Sequence, residues 1–185
     1  MYISLVKLTL NDLFRYDPEA GLLYRKVPPR ECFSTDGGWK NSATKALRSL
    51  DVPIGYRHYH GNGLPHAVKL AVRRKVTYVH RIAWEICHGP IPDGMGIDHI
   101  NGDPFDNRLN NLRLATRQQN SFNQRGKGRS GLKGATFSPA HGKWRSEIRA
   151  GRVRKFLGHF DSAEAAHAAY CAAAPFMHGD FARTK

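Results

Sequence analysis

Four side chains able to act on a phosphodiester fall within 23 residues: Asp98, His99, Asn111 and Asn120. Hydrolysis of such a bond needs a base for water, a Lewis acid beside the scissile phosphate, and a group that holds the base in one tautomer. A histidine supplies the first. An aspartate with an asparagine can hold a hard, oxygen-seeking ion such as Mg²⁺, with waters and phosphate oxygens completing its shell. An asparagine carbonyl can accept from one imidazole nitrogen and leave the other to take a proton. A lone histidine on a strand is ordinarily just a satisfied polar residue. The adjacent aspartate and the two asparagines on neighbouring elements turn the reading toward catalysis.

The elements that must position these residues follow from local pattern. Gly96-Ile97-Asp98-His99-Ile100 reads as a short apolar strand carrying two polar residues, followed over 101–110 by a loop rich in Asn, Asp, Gly and Pro. Within it, Asn101-Gly102-Asp103 is turn chemistry. Asn111-Leu112-Arg113-Leu114-Ala115 alternates as a second strand that starts at Asn111. Thr116-Arg117-Gln118-Gln119 fits a capping box, so a helix begins there with Asn120 in its first turn. The frame is strand, loop, strand, helix.

Upstream, the spacing predicts a short helix capped at Thr9 or Asn11 and running to Phe14, then a turn over 16–21 leading into 22–25. Residues 28–53 read mostly as loop. Segments 66–72 and 75–80 alternate apolar and polar around Arg73-Arg74, the pattern of a hairpin. A short helical segment over 81–88, with Trp84 in the core, stops at Gly89-Pro90. Downstream, 124–131 contains no apolar residue and spaces its glycines as a flexible interdomain linker does. Strands follow over 132–138, 143–150 and 155–160, then an Ala-rich helix capped by Ser162 and reaching about residue 174.

Composition limits the partners. The chain has 185 residues with 29 Lys+Arg against 15 Asp+Glu, a formal charge of +14, and 41% hydrophobic residues. One or two ordinary domains fit, which excludes a disordered tail and a large multidomain enzyme. No apolar run reaches the roughly 18 residues of a membrane span. Residues 1–10 carry a single Lys7 and no cleavage pattern, so no signal peptide is expected and the cytoplasm is the expected compartment. Cys32, Cys87 and Cys171 are too few and too scattered for a disulfide framework or a zinc knuckle, and read as buried or idle thiols.

The positive charge is concentrated: residues 125–155 hold ten basic residues against one acid, Glu147. They lie on strands and loops and not on a basic amphipathic helix, which favours nucleic acid over a membrane surface. Period-two geometry sends Trp144, Ser146 and Ile148 to one face, toward the Ala-rich helix, and Arg145, Glu147 and Arg149 to the other. That second face can enter a major groove, where Arg donates to guanine, Glu accepts from cytosine and neighbouring bases hold phosphate. Solvated charge is the alternative for the same face.

Several short motifs recur in order: Val79-His80-Arg81-Ile82-Ala83-Trp84, Gly89-Pro90-Ile91-Pro92, Ile97-Asp98-His99-Ile100-Asn101-Gly102-Asp103, Asp106-Asn107-Arg108-Leu109, and Asn111-Leu112-Arg113-Leu114-Ala115-Thr116 ending in Asn120. Over about residues 8–123 the chain resembles the HNH endonucleases of phages and mobile introns. The resemblance implies a ββα-metal site in which His99 is the general base, Asn111 orients it, and Asp98 with Asn120 binds one divalent cation. The last member is Asn and not the third His of the family name, as in the homing nucleases of the group. That favours Mg²⁺ or Mn²⁺, and no structural zinc is expected. His80 and Arg81 belong to the same pattern. Asn107 and Arg108 fix the loop, with phosphate contact the alternative for Arg108.

The C-terminal third is similar to the Apetala-two (ethylene-response-factor) DNA-binding domain through Ser130-Gly131-Leu132-Lys133-Gly134-Ala135, Lys143-Trp144, Glu147-Ile148-Arg149, Phe156-Leu157-Gly158-His159-Phe160, and Ala165-Ala166 to Ala169-Tyr170. That likeness implies that Glu147, Arg149, Arg154 and Phe156 face the groove; Arg145, placed there by the alternation of its strand, and the basic Lys133 and Lys143 are expected to join them as DNA-binding residues. Thr136 and Ser138 stand near positions where the plant pattern has Arg.

The expectation is therefore an α+β chain. A ββα-metal HNH nuclease domain with a β-rich N-terminal extension spans 1–123, a basic linker 124–131, and a small three-stranded antiparallel sheet packed on one helix 132–185. It would hydrolyse double-stranded DNA one strand per site, as a monomer or a DNA-induced dimer, with no membrane partner, in a bacterial host as a phage or mobile-element product. The alternative of another class is a non-catalytic DNA-binding regulator on a vestigial nuclease fold. An RNA-processing enzyme is disfavoured by the lack of a stacking platform for single strands.

Overall fold

The computed structural model describes residues 9–61, 63, 65–72, 75–126 and 128–184. The stretch 1–8, the hairpin turn Arg73-Arg74 and Lys127 of the expected linker lie outside the described residues. The architecture is α+β with small sheets. Two compact units form, Met1–Asp93 with Asp103–Leu114 and Gly94–Gly102 with Ala115–Lys185.

In the first unit, helix α1 (Leu10–Leu13) is opened by Thr9. Its hydroxyl accepts from the Asp12 N–H while Asp12 accepts from the Thr9 N–H at 2.7 Å. Strands β1 (Phe14–Asp17) and β2 (Leu22–Arg25) form an antiparallel hairpin that pairs Tyr16 with Leu23, both buried. This hairpin braces the loop ahead of Asn111. The Tyr16 hydroxyl donates to the Asn107 carbonyl at 2.6 Å, and the Leu109 N–H donates to the Pro18 carbonyl at 2.9 Å. Gly21, at φ +69°, lies so close to the Arg108 backbone that a Cβ would overlap it.

A three-stranded sheet of order β3-β4-β5 comes next, from Tyr56–Tyr59, Pro65–Val72 and Lys75–Tyr78. Against β4 packs an amphipathic helix, Val79–His88, which buries Val79, Ile82 and Ala83 and ends at Gly89, φ +82°. The expected hairpin strand is thus cut short, because Val79 and His80 open this helix instead. Trp84 is half-buried and stacked on His88, centroids 4.2 Å apart, in place of a full core position. Cys87, expected buried or idle, is an exposed free thiol.

Residues 28–53 are not the loop that their composition suggests. A 3₁₀ turn at Arg30–Cys32 precedes a 12-residue helix, α2 (Asp36–Leu47). The Thr35 hydroxyl accepts from the Gly38 N–H at 3.1 Å to start it, and Ala43 and Ala46 are its buried side. Gly37 and Gly38 in its first turns, each costing about 1 kcal/mol against Ala in a helix interior, hide it from a propensity reading. With α2 counted, the Val79–His88 helix is α3.

In the second unit, β6 (Met95–His99) forms a two-stranded sheet with β7 (Leu112–Thr116), a strand shared by the unit boundary. Helix α4 (Arg117–Asn123) packs on β6. Its expected capping box is present: the Thr116 hydroxyl accepts from the Gln119 N–H and the Gln119 side chain accepts from the Thr116 N–H at 2.9 Å. Asn111 is the last residue of the 3₁₀ turn Leu109–Asn111 and not the first residue of β7.

An antiparallel sheet with β9 (Lys143–Ala150) between β8 (Ala135–Ser138) and β10 (Val153–Phe160) is covered by α5 (Ala163–His178). Strand β10 starts two residues earlier than its pattern suggests, and α5 continues through Pro175 to His178. Small side chains let helix and sheet approach. Ala135, Ala163 and Ala166 form one buried cluster with Leu132, Trp144 and Phe160, and Ile148, Tyr170 and Ala174 form another. Gly134, at φ +78°, sits directly under the Tyr170 ring.

The sheet and α4 are joined inside this unit. Phe122 stacks on His178 at 3.8 Å, and the Lys133 ammonium donates to the Ser121 and Phe122 carbonyls, capping the C-terminus of α4. The expected flexible linker is folded on itself. The Gly131 N–H donates to the Gly128 carbonyl at 2.9 Å and the Leu132 N–H to the Ser130 hydroxyl at 3.2 Å. The absence of a Cβ at Gly126 lets its backbone come against that of 131–133.

Two outcomes follow for stability. Gly134→Ala would force a Cβ into the Tyr170 ring at positive φ, costing about 2–4 kcal/mol, read as a lowered midpoint in denaturant. His178 donates from Nε2 to the Arg149 carbonyl at 3.0 Å. Burial pushes its pKa down, opposed by that hydrogen bond and aided by Lys133. The stability present above the unfolded histidine value near 6.5 is lost as the pH falls through it. Thermal melts between pH 7.5 and 5 should show a decline that His178→Gln reduces.

Candidate active site

Strand β6 ends in three consecutive buried residues, Ile97, Asp98 and His99. Asp98 is only 5% exposed, so its carboxylate needs donors in place of water. Asn123, at the C-terminal end of α4, supplies them. Its Nδ2 lies 3.1 Å from each Asp98 oxygen and donates to the His99 carbonyl at 2.6 Å. The Gly102 N–H donates to that same carbonyl at 2.8 Å. One amide therefore fixes the carboxylate, the backbone of His99 and the helix end together.

Asn120 and Asn123 are i, i+3 partners and stand on one side of α4. Asn123 is buried against Asp98, while Asn120 is exposed. Asp98, His99, Asn120 and Asn123 all belong to the second unit; Asn111 belongs to the first. There Asn111 is buried, and its Nδ2 donates to the Asp106 carbonyl at 2.8 Å, which sets the orientation of the amide.

The supporting residues are loop-fixing or helical. Asn107 is 3% exposed and its carbonyl receives the Tyr16 hydroxyl. Arg108 pairs with Asp106 through two bonds of 2.8 and 2.6 Å, which keeps its own pKa raised. His80 stacks on Tyr78, centroids 5.3 Å apart and nearly coplanar, and Arg81 is half-buried in the first turn of α3.

Two residues that sequence reasoning passed over belong to this neighbourhood. Asn123 had a local signal, its i, i+3 relation to Asn120. Arg183 had none, since it lies in the tail beyond α5. Its Nη1 donates to the Asn123 carbonyl at 3.3 Å, and its guanidinium rests against Gly102, where a Cβ would collide with it. Burial pushes the Arg183 pKa down, Arg125 adds to this, and Asp98 opposes it.

The charged side of the C-terminal sheet is assembled by register. Directly opposed residues share a face: Lys143 pairs with Ser138, Arg145 with Thr136 and His159, Glu147 with Phe156, and Arg149 with Arg154. A bulge at Leu157, between Phe156 and Gly158, brings His159 onto this side. Glu147 is held between Arg145, at 2.7 Å, and Arg154, at 2.6 Å, and Lys143 pairs with Asp161 at 3.0 Å. The Arg145 guanidinium lies over the half-exposed Phe156 ring. Lys133 does not join this face. It is half-buried at the end of α4, and burial followed by the Arg183 charge lowers its pKa to about 8.

Residues 77–122 match the family model described as HNH endonuclease. The chain is 44% identical over 73 residues to Protein 3.8 of Escherichia phage T7, covering 38% of this chain and 60% of that protein. It is 35% identical over 89 residues to an uncharacterized HNH endonuclease of Acanthamoeba polyphaga mimivirus, covering 46% of each. The chain thus spans about half to three fifths of these curated relatives. No solved structure matches it. The matched stretch runs from the end of β5 into α4 and contains Asp98, His99, Asn111 and Asn120. No helix among the described residues is long and apolar enough to cross a membrane.

Removing Asn123 takes a buried donor away from the Asp98 carboxylate. Asn123→Ala should cost about 2 kcal/mol in denaturant unfolding, and Asn123→Asp more, because it sets a second carboxylate against Asp98.

Proposed function

We propose that this chain is a metal-dependent DNA endonuclease of the HNH homing or mobile type, hydrolysing phosphodiester bonds in double-stranded DNA one strand per active site. The observation that carries the reading is the buried Asp98 carboxylate, held by Asn123 beside His99, inside the stretch similar to HNH endonucleases.

In this reading His99 takes the proton of the attacking water, and Asn111, its amide braced on Asp106, orients the imidazole. Asp98 and Asn120 hold the metal. Among the described residues no three His, Cys, Asp or Glu side chains gather as a metal-holding group. The donors on offer are one carboxylate and one amide oxygen, a set that fits a hard ion such as Mg²⁺ or Mn²⁺ which keeps waters and accepts phosphate oxygens. When bound, such an ion polarises the phosphate and stabilises the departing oxygen. His80 and Arg81 belong to the same stretch similar to HNH endonucleases.

Residues 132–185 act as an Apetala-two-like reader, joined through 124–131 to a nuclease part over 1–123. The face carrying Lys143, Arg145, Glu147, Arg149, Arg154 and Phe156 lies in the major groove. The ion pairs at Glu147 hold Arg145 and Arg154 together before DNA arrives, which lowers the cost of ordering them on binding. The phage relative fits an origin in a phage or mobile element acting within a bacterial cytoplasm. A nick results from one copy, and a double-strand break needs a second engagement.

A supercoiled plasmid tests this directly. Wild-type protein with Mg²⁺ or Mn²⁺ should convert it to nicked circles, EDTA should stop the conversion, and His99→Ala or Asp98→Ala should abolish it while still shifting DNA in a gel. Arg149→Ala should weaken binding about tenfold, the worth of one good base contact, with cutting restored at high protein. Plasmid that is shifted but stays covalently closed would mark a DNA-binding regulator, and cutting that survives His99→Ala would remove the assigned base.

A further inference from the structure

Beneath the tail that carries Arg183 lies a cavity of about 300 Å³, lined by Arg125, Gly126, Gly131, Leu132, Lys133, His167 and Arg183. Among the described residues its charged lining is cationic, with no Asp or Glu. The cations feel one another: Arg183 depresses the pKa of Lys133, and Arg125 depresses that of Arg183. Asp98, outside the lining, offsets part of the charge on Arg183, and the lining itself stays cationic, a surface that attracts anions. The cluster is built rather than incidental. Lys133 is anchored by the end of α4, His167 is aligned by a 2.7 Å bond between its Nδ1 and the Lys133 carbonyl, and Arg183 is seated on Gly102 and on the Asn123 carbonyl.

We propose that this cavity seats a backbone phosphate of the cleaved DNA strand, next to the scissile one, with Arg183, Arg125 and Lys133 as its ligands. This rests on the endonuclease reading of Asp98 and His99. Arg183 is the link, because it lines the cavity and also touches Asn123, whose amide holds Asp98. A phosphate held there fixes where the strand lies at Asp98 and His99. The C-terminal tail, and not only the sheet face, then sets the position of the cut. Guanidinium suits the task, since its planar fork can grip two phosphate oxygens at once.

Full-length protein tests the proposal with Arg183→Gln, Arg183→Lys and Arg125→Gln, using Lys40→Gln on the exposed side of α2 as a control of equal charge loss. Single-turnover nicking is measured at saturating DNA, duplex Kd is measured against salt, and melting is followed with and without inorganic phosphate. Arg183→Gln should slow nicking by about 10- to 100-fold at saturation, the scale of a misplaced substrate. It should also make the slope of log K against log salt shallower by about 0.9 per lost phosphate contact. Arg125→Gln should make the slope shallower in the same way, Arg183→Lys should recover part of both effects, and Lys40→Gln should change neither.

Salt slopes of Arg183→Gln and Arg125→Gln that match Lys40→Gln would overturn the phosphate seat, and so would an unchanged nicking rate in Arg183→Gln. Stabilisation by inorganic phosphate that Arg183→Gln removes, with the duplex slope unaltered, would assign the cavity to a free anion and overturn the strand reading. If Arg183→Gln melts early, Arg125→Gln, exposed at the cavity rim, decides by its slope. A wild-type protein that binds but never nicks would fail the endonuclease reading alone, because the slopes still report on the cavity.

Discussion

A carboxylate taken out of water is tolerated only where donors replace the solvent it has lost, and the Asn123 amide is such a donor for Asp98. That single pairing constrains the rest of the second unit. Asn123 can reach Asp98 only if α4 packs on β6, and the capping box at Thr116 starts α4 so that Asn123 falls at its end. The same amide binds the His99 carbonyl, so the backbone of the proposed base is fixed by the group that satisfies the proposed metal ligand. Asn120, one turn earlier, is left exposed on a helix whose end cannot drift.

The C-terminal sheet is drawn into that constraint. Lys133 caps α4, Phe122 stacks on His178, and Arg183 returns from beyond α5 to touch Asn123. A sheet that presents charge on one side therefore holds, by its other contacts, the helix that steadies Asp98 and His99. The charged side has its own logic: a bulge in β10 rotates His159 into line with Arg145, and Glu147 gathers Arg145 and Arg154 around one carboxylate. The acid spaces the arginines and keeps them from repelling one another apart.

Much of the frame was legible from residues alone, for local reasons. The Thr116 capping box, the Ser162 cap, the stop at Gly89 and the period-two division of β9 depend on neighbours a few positions away, and each stands where local chemistry puts it. Helix α2 was hidden because paired glycines in its first turns mask a cap supplied by Thr35 and a buried side made only of alanines. The stretch 124–131 read as an open tether because its glycines signal freedom, whereas one of them, Gly126, serves close backbone approach to 131–133. Lys133 read as one of the groove-facing residues of the sheet, whereas its ammonium stands at the end of α4, off that face, a placement no local pattern signals.

The sequence by itself showed residue types suited to hydrolysis, their order, the strand carrying Asp98 and His99, the helix carrying Asn120, and the sign of the charged sheet face. These rest on periodicity, caps and charge, which act over a few residues. Only the tertiary structure decided that Asn123 holds Asp98, that Asn111 is braced by Asp106 in a turn rather than a strand, and that Arg183 comes back to the helix end. Those contacts join groups through burial and packing, in the case of Arg183 and Asn123 across 60 positions, and no short-range pattern encodes which polar group must answer a charge that folding removes from water.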